Sequence, residues 1–205
     1  ATTAIGVLLT AMLAYGLSKR QVLGNKALSF LVVFCMIFQG GMIPTYLTVK
    51  SLNLIDSLWA LILLAIVTPY NTIIMKNFFS GMPNDLEEAA AIDGAGPLRI
   101  FFQIMLPLAK AVLATVGLWL AVASWSNFQG PLIYINSRSN LTLPLYIRQV
   151  IDGQLIARTT GEVSKSAVES VVGATIIVSL VPILCVYPFL QKYFVKGVMI
   201  GSVKG

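Results

Sequence analysis

Five apolar runs, each near the length needed to cross a lipid hydrocarbon core, constrain this chain before any motif is considered. They cover Ala1 to about Leu17, Ala27 to Val49, Asp56 to Phe78, Leu108 to Tyr134 and Ala167 to Leu190. A core of ~30 Å takes ~20 residues of helix, and within lipid every backbone N–H and carbonyl must be satisfied inside its own segment. Helix is therefore the expected state of all five. The expected fold class is all-α, a polytopic membrane helix bundle with residues 1–205 forming one domain. Composition agrees, at 57% hydrophobic and 11% charged, where soluble domains carry about 25% charged residues. The first run starts at Ala1 with no initiator Met, charged leader or cleavage pattern, which reads as a fragment lacking an N-terminal part.

Charge sets the orientation. Lys19, Arg20, Lys26, Lys76, Arg99, Lys110, Lys192, Lys196 and Lys204 fall on one side of the bundle, and Lys50, Arg138, Arg148, Arg158 and Lys165 on the other. The richer side is expected in the cytoplasm. This places the connection around residues 80–107 and the C-terminal tail inside, and the segment 135–166 outside. The net charge of +6 does not point to nucleic acid, because the cations border apolar runs and form no aromatic-interleaved patch.

Several chemistries are excluded or displaced. With no histidine, His-based metal sites and Ser-His-Asp catalysis are absent. Cys35 and Cys185 lie within apolar runs and are read as buried packing residues. No phosphate-binding G-x-x-x-x-G-K-[ST] sequence occurs, so ATP-driven work would need a second polypeptide. No carboxylate lies in the middle of a span, which argues against a proton- or sodium-coupled carrier. Pro44, Pro69 and Pro182 interrupt apolar helices and are expected as kinks, with Gly40-Gly41 adding a local break. Outside, Asn136 to Asn140 reads as a turn cluster, and Leu143 to Arg148 as a short amphipathic helix at the interface.

The polar connection at 80–107 is the most informative interruption. Asp85, Glu87, Glu88 and Asp93, four of the eight acidic residues, lie within ten positions. Asn84 with Glu87 three residues on suggests a capping box, and the first-turn acids suit the helix dipole. Ala89, Ala90 and Ala91 favour helix and permit close approach. Gly94 can end the helix with positive φ, and Pro97 suits the first turn of a second helix. Pro107 then bends the chain into the next span. The expectation is helix, turn, helix, parallel to the membrane and able to act as a lever, where a plainer reading would have it merely close a hairpin.

Glu88-Ala89-Ala90, Gly94, Ile104, Leu106 and Pro107 stand in the register of the Glu-Ala-Ala loop. The chain thereby resembles permease subunits of binding-protein-dependent ABC importers, with the type I permease (MetI-like) fold. The resemblance implies coupling residues Glu87, Glu88, Ala89, Ala90, Asp93, Gly94, Ile104, Leu106 and Pro107, inserted into a cleft of a nucleotide-binding ATPase subunit. It implies no cofactor on this chain, ATP-Mg residing on the ATPase. Partners would be two ATPase subunits, a second and different permease subunit, and an extracytoplasmic solute-binding protein. The location would be the bacterial cytoplasmic (inner) membrane, multi-pass. Six spans are expected in such a subunit, so a sixth is expected before Ala1.

Pro44-Thr45-Tyr46, Leu52 to Ser57, Ala14 to Lys19, and the tail Leu190 to Gly205 are similar to the carbohydrate branch. That branch includes the maltose-type second permease and the LplC/YtcP-like oligosaccharide permeases. Gly197, Gly201 and Gly205 repeat at four-residue spacing in a Lys-bearing tail, which suits an ATPase contact better than a membrane seam. For the substrate path, polar or aromatic residues within spans are the candidates: Gln39, Asn71, Ser124, Trp125, Asn127 and Gln129. The same residue types also join helices or mark interfaces. The alternatives are an importer for amino acids, peptides or an anion, and a channel or secondary transporter. Carbohydrate import is the leading reading.

Overall fold

The computed structural model describes residues 1–19, 21–159, 169–182 and 184–185. Most of the tail, including Leu190 to Gly205, and the cations Arg20 and Lys165 lie outside them. Every regular element among the described residues is helical: α1 (Thr2–Ser18), α2 (Asn25–Ile37), α3 (Met42–Ser51), α4 (Leu58–Ala65), α5 (Pro69–Ser80), α6 (Asp85–Ile92), α7 (Pro97–Ile100), α8 (Leu106–Leu108), α9 (Lys110–Trp125), α10 (Gln129–Tyr134) and α11 (Leu143–Thr159). A π-helical stretch, Phe101–Met105, joins α7 to α8, and a 3-10 turn occupies Arg138–Asn140. Of the fifth apolar run, Glu169–Pro182 is a helix.

The expected long spans are broken. Among the described residues no single helix is long and apolar enough to cross a membrane, but three bent pairs reach that length and composition together. Helix α2 meets α3 at 114°, α4 meets α5 at 45°, and Pro97–Leu108 meets α9 at 80°. Pro44 and Pro69 do not kink a continuous helix, contrary to expectation. Pro69 is the first residue of α5 and Pro44 lies in the first turn of α3. A missing N–H costs nothing in a first turn, so where the preceding residues leave the helix the proline restarts it. Gly41, at φ 83, supplies the break before α3.

Two packed clusters result. The larger gathers Ala11 and Ala14 of α1, Met75 and Phe79 of α5, Ala90, Ile100, Phe101 and Met105 of the 80–107 connection, and Val112, Val116 and Leu120 of α9. The smaller gathers Val49, Ala60 and Tyr134, with Tyr46, Leu54, Ile55 and Leu61 against them. Helix α1 is the central rod, packed on α5 and α9. Its buried alanines and Gly6 set the close approach: a Cβ on Gly6 would lie 2.8 Å from the Ile66 carbonyl oxygen and 3.2 Å from Leu120 Cδ1.

Helix α2, by contrast, buries none of its residues, and Phe30, Phe34 and Phe38 form an exposed ring ladder along it. Cys35 is exposed on this helix and Cys185 is also exposed, so neither is the buried packing residue expected. No other described element covers the faces they occupy. The amphipathic stretch expected at Leu143–Arg148 extends to the 17 residues of α11, with Arg148 paired to Asp152 one turn on.

Candidate functional site

The 80–107 connection folds as a helix–turn–helix. Helix α6 opens on Asp85 with Asp85, Glu87 and Glu88 in its first turn, where they complement the exposed N–H groups. Its end is a Schellman closure. The Gly94 N–H donates to the Ala91 carbonyl (3.0 Å) and the Ala95 N–H to the Ala90 carbonyl (2.9 Å). Gly94 holds φ 82, a left-handed conformation that glycine adopts without a Cβ penalty. Pro97 begins α7, as expected. The π register follows, the Leu106 N–H donating to the Phe101 carbonyl five residues back. It ends next to Pro107, whose missing N–H would leave an α-helical carbonyl at Gln103 without a donor. The chain turns by 80° into α9.

The capping box does not form. Asn84 is αR and its side chain makes no cap bond; the Glu87 and Glu88 N–H groups donate to the Asn84 carbonyl instead. The Glu87 side chain is engaged elsewhere: it forms an ion pair with Lys19 and accepts from the Tyr15 hydroxyl at 3.2 Å. The Lys19 ammonium also lies 4.8 Å from the Tyr15 ring centroid, within cation–π range. The Tyr15 ring contacts Phe79 edge-on (5.6 Å) and Phe101 at 5.1 Å. The connection is thus fixed to α1 and α5 on one side.

Its other side is open. Glu88, Ala89, Asp93, Gly94 and Pro107 are exposed, with Ile92 86% and Leu98 68% accessible beside them. Ala90 faces the core, and Ile104 and Leu106 are half-buried against it. The candidate residues therefore divide into an inward set (Glu87, Ala90, Ile104, Leu106) and an outward set (Glu88, Ala89, Asp93, Gly94, Pro107).

The substrate-path candidates also divide. Ser124, Trp125, Asn127 and Gln129 cluster at the break between α9 and α10. The Ser124 hydroxyl is buried without a partner, and Asn127 Oδ1 accepts from the Gly130 N–H at 3.0 Å. A Cβ on Gly130 would lie 3.1 Å from Leu61 Cδ2, so this break lies against α4. Asn71 is buried near the start of α5, and Gln39 is exposed in the bend between α2 and α3.

A polar hub at the opposite end escaped the sequence reading. Asp56, at φ 62, donates its N–H to the Tyr134 carbonyl (2.7 Å). Its Oδ1 accepts from the Asn136 N–H (2.9 Å), the Ser137 N–H (2.8 Å) and the Ser137 hydroxyl (2.9 Å), and its carbonyl accepts from Asn140 Nδ2 (2.8 Å). The available signal was an acid at a span boundary together with a Ser/Asn cluster after another span. The Ser137 and Asn136 N–H groups hold the Asp56 carboxyl below the ordinary carboxylate range. A lowered folded pKa gives a tie that is intact at neutral pH and is lost as pH falls through that lowered value. The protection of the Asn136 and Ser137 amides, taken as their exchange relative to the unstructured chain at the same pH, should accordingly be high at neutral pH and fall in acid. Asp56→Ala should abolish the protection at every pH, whereas Asp56→Asn, keeping an acceptor oxygen, should retain part of it. Protection insensitive to both pH and Asp56→Ala would refute the tie.

The family model described as "Binding-protein-dependent transport system inner membrane component" matches residues 6–200. Among curated proteins, Protein LplC of Bacillus subtilis (strain 168) is 48% identical over 206 residues, covering 99% of this chain and 70% of LplC. The polygalacturonan/rhamnogalacturonan transport system permease protein YtcP of the same organism is 44% identical over 209 residues, covering 99% of this chain and 72% of YtcP. Among solved structures, a bacterial ABC transporter involved in the import of the acidic polysaccharide alginate matches with TM-score 0.82 and 33% identity. That match covers 94% of this chain and 71% of the solved one. The chain belongs to the family of binding-protein-dependent transport system inner membrane components.

Proposed function

We propose that this chain is the translocation subunit of an ATP-driven, binding-protein-dependent importer of oligosaccharides. It is a transport component, and ATP hydrolysis resides on a separate subunit. The observation that carries the reading is the helix–turn–helix at 80–107, held to the bundle by one face and open on the other. The outward set, Glu88, Ala89, Asp93 and Gly94 with the exposed Ile92 and Leu98, enters a cleft of the ATPase subunit. A second permease and an extracytoplasmic solute-binding protein complete the assembly.

The chain crosses the bacterial inner membrane in five broken or short spans: α1, α2 with α3, α4 with α5, α9 with α10, and the helix at 169–182. The 80–107 connection lies in the cytoplasm. Supporting this sidedness, Lys19 meets Glu87, and Lys76 Nζ donates to Ser29 Oγ at 2.8 Å, which groups the cation-rich ends together. The Asp56 hub groups the opposite ends.

Carbohydrate, rather than amino acid, peptide or anion, is favoured by relatives named for polygalacturonan/rhamnogalacturonan and for alginate. Both names denote acidic polysaccharides, so uronate oligosaccharides rank first among substrates. The test is ATPase stimulation in the reconstituted complex by solute-binding proteins loaded with a panel of ligands. Stimulation by uronate oligosaccharides is expected. Stimulation by an amino-acid- or peptide-loaded receptor alone would overturn the carbohydrate reading.

A further inference from the structure

Two adjacent acids on α6 point to different tasks. Glu88 is exposed, while the Glu87 carboxylate is turned onto Lys19 and Tyr15, with only 27% and 18% of the Lys19 and Glu87 side chains accessible. An ion pair so enclosed is screened less than a surface pair. It is backed by a ring locked between Phe79 and Phe101. Tyr15 lies in the last turn of α1 and Lys19 is the residue that caps its C-terminus. Nine positions before Tyr15, about 14 Å along the same helix, Gly6 lies against the Ile66 carbonyl at the α4–α5 break and against Leu120 of α9. Helix α1 therefore joins the 80–107 unit at one end to a span break at the other.

We propose that Glu87, Lys19 and Tyr15 form a strut that delivers movement of the 80–107 unit to α1, and through α1 to the break at 66–68. Glu87 is then a positioning residue within this chain, not a contact to the ATPase. The proposal rests on the docking reading above. Coupling between distant sites travels through contiguous packed and hydrogen-bonded groups; here the path is α6, the Glu87–Lys19–Tyr15 cluster, α1, Gly6 and Ile66. The sequence separation of 68 to 72 residues between the partners makes this a tertiary device and not a helix-local pair.

The test uses the whole transporter, reconstituted in vesicles with its ATPase, second permease and loaded binding protein. Glu87→Gln should leave ATPase subunits bound at wild-type stoichiometry and hydrolysing ATP, while uptake per ATP falls at least about five-fold. Lys19→Gln should do the same, and the double variant should be no worse than either single one. The charge-swapped pair Lys19→Glu with Glu87→Lys should recover coupling. In a Cys35→Ser, Cys185→Ser background, Lys19→Cys with Glu87→Cys joined by a short bifunctional thiol-alkylating linker should also recover it. That linked protein decides the matter if Glu87→Gln fails to assemble.

Release of the ATPase by Glu87→Gln would make Glu87 a docking contact and overturn the strut. So would multiplicative losses in the double variant, or abolition of uptake by the linker. Gly94→Asp separates docking of the 80–107 unit from transmission through the strut. If Gly94→Asp leaves ATPase binding and uptake intact, the docking reading itself falls; if it uncouples while Glu87→Gln transports normally, only the strut does.

Discussion

Replacing Gly94 with Val should cut substrate uptake by about 5- to 150-fold while the permease still inserts. Gly94 sits at φ 82, where a β-branched residue carries about 1–3 kcal/mol of strain. That range corresponds to about a 5- to 150-fold shift in the population of the native turn. The two bonds that close α6, from Gly94 and Ala95 to Ala91 and Ala90, depend on this conformation. Losing it re-aims Pro97 and the whole second helix. An added Cβ meets nothing within 4 Å in this chain, so steric conflict inside the permease is not the cause. Two effects remain: the backbone strain, and the side chain protruding from the face assigned to the ATPase.

They can be separated by ranking substitutions. Asn tolerates the left-handed conformation, so Gly94→Asn should retain more uptake than Gly94→Val despite its similar size. Gly94→Asp combines tolerable backbone with another carboxylate beside Asp93, and should uncouple hydrolysis from uptake through charge. Vesicle uptake measured beside ATP hydrolysis reads all three. Equal uptake by wild type and Gly94→Val would show that neither the turn nor its outer face matters to coupling.

Much of this unit was legible in the sequence because its determinants are local. The φ requirement of Gly94, the place of Pro97 and the dipole preference of the first-turn acids are properties of short windows. The failed capping box at Asn84 shows the limit. The local pattern offers Glu87 to its own helix start, but a lysine 68 residues earlier competes for the same carboxylate and wins. An ion pair assisted by a tyrosine hydroxyl and an aromatic cage outweighs a single carboxylate-to-backbone cap bond.

The spans show the same division. Their apolar length was plain, yet their breaks were not, because hydropathy reports burial and not continuity. At Pro44 and Pro69 the one-dimensional signal is a proline within an apolar run. Whether it kinks a helix or starts one depends on whether neighbouring helices hold the preceding residues out of helical geometry. Asp56 was invisible for a related reason. Its five hydrogen bonds all reach residues 134–140, and no pattern within either segment announces the other. The division of the candidate coupling residues into inward and outward sets likewise required the third dimension.

Gly6→Val should destabilise the bundle by about 3 kcal/mol, the upper part of the usual range for overpacking. The obstacle is unusual in being main chain. A Cβ at Gly6 would stand 2.8 Å from the Ile66 carbonyl oxygen, inside van der Waals contact, and 3.2 Å from Leu120 Cδ1. A flexible side chain can swing aside, but Ile66 is the cap residue ending α4, and moving it shifts the break that sets the 45° angle to α5. Gly117→Ala supplies the comparison. On α9, facing the same helix, its Cβ would lie 3.4 Å from Val7 Cγ2, an ordinary contact with a side chain. There the loss of backbone freedom in the unfolded chain favours alanine by about 0.5–1 kcal/mol. Thermal unfolding in detergent should therefore show a lowered midpoint for Gly6→Val and an unchanged or raised one for Gly117→Ala. The two glycines line the same α1–α9 contact, so a similar loss for both would mean that the whole interface is uniformly tight. A loss confined to Gly6 locates the tight point at the α4–α5 break, where the end of the α1 rod meets the main chain it is proposed to move.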